Sequence, residues 1–155
     1  YSGTIRSGKT TRLDQWIEKT SSVDGVLTPI LNDKRYIKFI STGEMSLLES
    51  DSSDTDIVEQ IGKYKFLRNI FYKSHEYLLN LIINPPKWII IDEIGFLELD
   101  GMGFEPAVSQ LINKLKNKKN VNIVIVVRDF LKDKVIEYYK INLDSWKDFN
   151  PDEQY

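Results

Sequence analysis

Apolar residues recur along this chain with two different spacings, and the segments they mark out alternate. Residues 11–19 place Leu13, Trp16 and Ile17 on one face of a helix. Residues 23–30 read as a strand. Residues 35–41, where polar and apolar side chains alternate, read as a half-exposed one. The two predict a hairpin with its turn at 31–34. Residues 50–56 carry no apolar side chain and predict a surface loop. Residues 66–83 have Leu67, Ile70, Phe71, Leu78, Leu81 and Ile82 at helical spacing, and Asn84-Pro85-Pro86 stops them. Residues 87–91 read as a strand whose apolar run, Trp88 to Ile91, is uninterrupted, the mark of a strand covered on both faces. A helix over 104–116 (Val108, Leu111, Ile112 and Leu115 inward), a strand over 121–127 and a helix over 131–139 complete the series. The polar tail 142–155 fits no element. This alternation predicts an α/β fold with a mostly parallel sheet flanked by helices, as one domain across 1–155.

Composition narrows the class. With 41% hydrophobic and 28% charged residues the chain is globular and not disordered. No apolar run approaches the roughly 20 residues a membrane helix needs, so no membrane partner is expected. The absence of cysteine excludes disulfides and thiolate chemistry and suits a cytoplasmic setting. A net charge of −2 leaves no footprint for nucleic acid. Lys114, Lys116, Lys118 and Lys119 read as the solvated C-terminal end of a helix, where cations meet the negative end of the dipole.

The densest chemistry stands at the start. Gly3-Thr4-Ile5-Arg6-Ser7-Gly8-Lys9-Thr10 matches the phosphate-binding pattern of two glycines, a lysine and a hydroxyl residue at fixed spacing. Gly3 and Gly8 free the backbone so that successive N–H groups point into one concavity. Lys9 brings a compact charge to the outer phosphates, and Thr10 offers a hydroxyl to Mg²⁺. The helix that follows adds its N-terminal dipole. The segment therefore predicts a nucleoside-triphosphate site with Gly3 to Thr10 around the phosphates. Such a loop follows a buried strand; only Tyr1 and Ser2 precede Gly3, so earlier residues of that strand are expected upstream.

The strand at 87–91 runs into Asp92-Glu93. Behind a phosphate loop, Asp92 suits the water shell of the Mg²⁺ held by Thr10. Glu93, on the opposite side of an alternating strand, suits polarisation of a water for in-line attack on the γ-phosphate. Lys9 and Glu93 are the expected catalytic residues, and Thr10 and Asp92 the expected metal residues.

The loop resembles that of the small RecA-like nucleoside-triphosphatases, slow P-loop hydrolases that accept several nucleotides. Gly25-Val26-Leu27-Thr28-Pro29, Gly62-Lys63-Tyr64 and Asp92-Glu93-Ile94-Gly95-Phe96-Leu97-Glu98-Leu99 are similar to that family's segments in the same order, with Phe104 following. The resemblance spans roughly 3–127. It implies a RecA-like P-loop fold and Mg²⁺-dependent hydrolysis of ATP, GTP or CTP to diphosphate and phosphate. It also implies that the phosphate cradle runs from Gly3 to Thr11 and that Glu98 has a supporting place, while Gly95 either frees the backbone beside the site or is an ordinary turn glycine. That family closes with an Asn-Arg-Asp element that is not present here. Arg128-Asp129 could stand for part of it, or simply lead a strand into a loop. Arg6 could contact the nucleotide or simply face solvent, and Lys63 is a further candidate for the nucleotide pocket.

Two other readings share the loop. A small-molecule kinase would add an Arg-rich lid, and none is visible; the 50–56 loop is acidic. A binding module timed by slow turnover would use the same residues. A guanine-reading Asn-Lys-x-Asp is absent, since Asn113-Lys114-Leu115-Lys116 lacks the Asp. No arginine poised to act in trans is identifiable, and a monomer is the expected state. His75 reads as a surface residue. Trp16 and Trp88 read as packing, while Trp146 could pack or stack on a base.

Overall fold

The computed structural model describes residues 1–4, 7–50, 58–62, 64–153 and 155. Ile5, Arg6 and Lys63, three sequence candidates for the nucleotide site, lie outside the described residues, as do 51–56 of the expected surface loop. The described elements are β1 (Ser2–Gly3), α1 (Lys9–Ile17), β2 (Val23–Leu27), β3 (Ile30–Leu31), β4 (Lys34–Phe39), β5 (Met45–Leu47), β6 (Val58–Ile61), β7 (Tyr64–Leu67) and α2 (Arg68–Asn80). They continue through β8 (Trp88–Ile94), α3 (Phe96–Leu99), α4 (Ala107–Leu115), β9 (Asn122–Arg128), a 3₁₀ turn at Asp129–Leu131 and α5 (Lys132–Tyr138).

The parallel strands β1, β9, β8 and β2 lie side by side in that order, and β4 joins β2 antiparallel. β3 and β5 each pair antiparallel with β4. The strand expected over 23–30 is two, β2 and β3, which both pair antiparallel with β4; β3 and β4 form the hairpin, with Asn32 and Asp33 in left-handed backbone angles at its turn. Side-chain alternation along the central strands divides the core in two. Ile89, Ile91, Ile125 and Val127 face α2, α4 and α5 through Phe71, Leu78, Leu111, Leu115 and Val135. Trp88, Ile90, Val124 and Val126 face α1 through Leu13 and Trp16. Both faces of β8 and β9 are thereby covered, which is why their sequences read as continuous apolar runs.

Further expectations change. The helical spacing read from Phe66 begins two residues later. Tyr64–Leu67 is a strand paired with β6, and it is fixed to the chain after β5 by Leu67 N–H to the Leu48 carbonyl (2.9 Å) and Ser50 N–H to the Lys65 carbonyl (2.7 Å). The unassigned tail docks on the α1 face. Phe149 lies 5.0 Å from the Trp16 ring and stacks on Tyr155 at 5.1 Å, while Arg12 pairs with Asp152. Its isolated aromatics are therefore packing residues, without a period because they belong to no helix or strand. Trp146 lies under Lys132 Nζ, 5.9 Å from the ring centre. His75, expected at the surface, is half-buried and bonded through Nε2 to the Gly103 carbonyl at 2.7 Å.

Candidate active site

Chain geometry at the loop follows from residue type. Gly8 sits at φ +76° immediately before α1, a conformation that side chains resist, although a Cβ there would meet nothing within 4 Å. Helix α1 then starts at Lys9, so Thr10 and Thr11 occupy its first turn. Lys9 is 6% exposed, and its Nζ donates to the carbonyls of Gly3 and Thr4, both at 2.9 Å. Thr4 also accepts the Ser7 N–H at 3.3 Å, which closes the described ends of the loop on each other. Gly3, Thr4, Ser7, Gly8, Lys9, Thr10 and Thr11 are thus gathered in one turn at the head of the helix.

Asp92 lies beneath that turn. It is 1% exposed, and its Oδ2 accepts the Thr10 hydroxyl at 2.8 Å and the Thr28 N–H at 3.1 Å. Its Oδ1, also buried, has no hydrogen-bond partner among the described residues. Burial pushes the Asp92 carboxyl up to about 6, with the Thr28 amide and the Thr10 hydroxyl pulling it back and Glu93 adding to the rise. Thr28 is a contributor that sequence reasoning missed. It belongs to the Gly25–Pro29 segment, but nothing in its own neighbourhood shows that its amide meets a residue 64 positions away.

Glu93 does not simply oppose Asp92 across an alternating strand. The ladder between β8 and β9 shifts register there: Ile91 faces Ile125, but Ile94 faces Val127, three steps on one strand against two on the other. The extra residue is a bulge at the acidic pair, and a bulge re-aims side chains. Asp92 turns into the core toward Thr10. Glu93 stays half-buried at the rim, where its Oε1 accepts Arg128 Nε at 2.8 Å.

Among the described residues no group of three His, Cys, Asp or Glu side chains is placed to hold a metal by itself. A hydroxyl and one buried carboxylate with an unpartnered oxygen do suit Mg²⁺, which takes one or two protein oxygens and completes its shell with water and phosphate.

A scan against protein-family models matches residues 1–147 to the family described as NTPase. The chain belongs to the NTPase family. The crystal structure of THEP1 from the hyperthermophile Aquifex aeolicus is similar, with a TM-score of 0.65 at 21% identity, covering 90% of this chain and 81% of that one. This likeness supports the α/β P-loop fold. No curated protein matches the sequence. Among the described residues no helix is long and apolar enough to cross a membrane.

Glu98 supports the loop that follows the acidic pair in this NTPase-family chain. It is 3% exposed on α3, and its Oε2 accepts the Gly95 N–H at 2.8 Å while its Oε1 accepts the Phe104 N–H at 3.1 Å. Gly103, at φ +62°, leaves it room: a Cβ there would lie 2.1 Å from Oε1. Burial raises the carboxyl from 4.5 to about 7, partly offset by those two amides. The ionised form therefore costs the folded state. That cost is complete above about pH 7 and absent below 4.5. Relative to Glu98→Gln, the wild type is expected to gain up to about 3 kcal/mol as pH falls through that window. Urea unfolding of both proteins at several pH values measures it; a constant difference would refute the assignment.

Proposed function

We propose that the chain hydrolyses nucleoside 5′-triphosphates to the diphosphate and phosphate with Mg²⁺, ATP, GTP and CTP being its substrates. The observation that carries this reading is the contact between Thr10 and Asp92, with the unpartnered Oδ1 beside it. It joins the loop hydroxyl to a buried carboxylate where a hydrated cation between the phosphates would need both. Held there by Thr10 and Asp92, Mg²⁺ would supply positive charge against the negative charge that develops on the phosphates.

The chain's own groups supply the rest. Backbone N–H groups of the loop and of the first turn of α1 cradle the phosphates. Lys9 exchanges its two carbonyl partners for phosphate oxygens. Thr10 and Asp92 would hold the cation, Asp92 through water. Glu93 accepts a hydrogen bond from the attacking water. As the water oxygen bonds to the γ-phosphorus, the bond to the β,γ-bridging oxygen breaks. The water proton passes to the Glu93 carboxylate, and the diphosphate leaves with the bridging electrons.

Phosphate release from ATP, GTP, CTP and UTP with Mg²⁺ tests the reading. Wild type is expected to turn over at least the first three. Lys9→Ala is expected to weaken nucleotide binding by at least about tenfold, some 1.4 kcal/mol, and to lose release with it. Nucleotide binding without release would overturn the hydrolase reading and direct the search to a phosphoryl acceptor.

A further inference from the structure

We infer that Arg128 is the positioning residue for Glu93, an inference that rests on the hydrolase reading above. Three observations on different levels converge on it. By topology, β9 lies between β1 and β8, so its C-terminal end separates the phosphate loop from the acidic pair. By register, Arg128 stands opposite Gly3, the first residue of the loop. By side-chain contact, its Nε donates to Glu93 Oε1 at 2.8 Å. One residue thus bridges the two halves of the site.

The enclosure of this pair sets it apart. Its side chains are 28% and 19% exposed, whereas every other ion pair among the described residues has at least one partner 37% exposed or more. Exposed pairs are screened and hold their partners weakly. A charge-assisted hydrogen bond in a half-buried setting fixes a direction as well as a distance.

Glutamate has several rotatable bonds, and the bulge at 92–93 leaves the Glu93 backbone without a regular ladder to orient it. The Arg128 guanidinium supplies what the ladder does not. It engages Oε1 and leaves Oε2 to accept from water. The strand has no need of this side chain for its own anchorage. β9 pairs through its backbone with β1 and β8, Val127 N–H reaches the Tyr1 carbonyl at 3.0 Å, and buried Leu131 fixes the following turn. Arg128 therefore acts on catalysis through Glu93.

The test measures kcat for ATP with Mg²⁺, and nucleotide Kd, in five proteins: wild type, Arg128→Met, Arg128→Lys, Glu93→Gln and the double variant Glu93→Gln/Arg128→Met. Met keeps the stem and removes the donor; Lys keeps a donor and guards against a folding artefact. Arg128→Met is expected to lower kcat at least about tenfold with Kd within about threefold, and Lys to restore part of the loss. In the Glu93→Gln background the Met substitution is expected to cost less than about threefold more, because its target is already gone. A full additional loss in that background would overturn positioning in favour of direct contact with the phosphates. A Kd that rises as far as kcat falls would overturn it too. Wild type that turns over while Arg128→Met is unchanged overturns this inference alone; wild type without phosphate release overturns the hydrolase reading beneath it.

Discussion

Glu93→Gln is expected to keep nucleotide affinity within about threefold of wild type and to lose kcat by about 10²- to 10⁴-fold, the usual worth of a positioned general base. The substitution preserves volume, and the amide oxygen can still accept from Arg128, so the rim of the site keeps its shape. It loses the ability to take a proton. Among the described residues Glu93 bonds to Arg128, whereas the loop amides, Lys9 and Thr10 carry the ground-state contacts in the proposed mechanism. Single-turnover phosphate release beside a binding titration separates the two effects. A variant that still releases phosphate at near wild-type rate would remove Glu93 from the chemistry. A variant that no longer binds would make it a nucleotide ligand instead.

The largest effect on stability is expected from Gly25→Ala. Gly25 pairs with Ile90 in the β2–β8 ladder at φ +131°, where L side chains rarely sit. An added Cβ would lie 2.0 Å from the Ile90 carbonyl oxygen and 2.7 Å from its nitrogen. Both are backbone atoms of a central strand buried on both faces, so no side chain can swing aside. A loss of at least about 3 kcal/mol is expected, with Tm lower by about 10 °C, or a failure to fold. Calorimetry or urea unfolding decides it; a loss under about 1 kcal/mol would mean that the two strands are farther apart than described. Turnover should fall as well, since β2 delivers the Thr28 amide to Asp92.

The readability of these features differs for a physical reason. The phosphate loop is legible because every fixed residue answers a local demand: Gly8 a backbone angle, Lys9 a charge, Thr10 a hydroxyl. The central strands are legible because burial on two faces leaves no polar position in Ile89–Ile91 or Val124–Val127. Asp92 and Glu93 are legible as residues that face different ways, but the register shift at them is not, because a bulge is a mismatch between two strands and neither strand shows it alone. Thr28 and Arg128 reach the site across 64 and 35 positions of sequence, so their roles depend on strand order. The start of α2 was misplaced because Phe66 and Leu67 fit a helical spacing as well as the strand they form. Phe149 and Tyr155 carried no signal, since packing by a docked tail has no period.

The placement of Lys9 has a consequence for selectivity. Lys9 Nζ holds the carbonyl oxygens of Gly3 and Thr4, so two of its three donors reach a ligand only by exchange. A ligand must repay those two bonds before any net gain appears. On the proposed reading, a chain of phosphates long enough to reach Lys9 can do so, and a monophosphate seated at the mouth cannot. The loop would then measure the length of its ligand, and discrimination against short phosphates would precede any reading of the base.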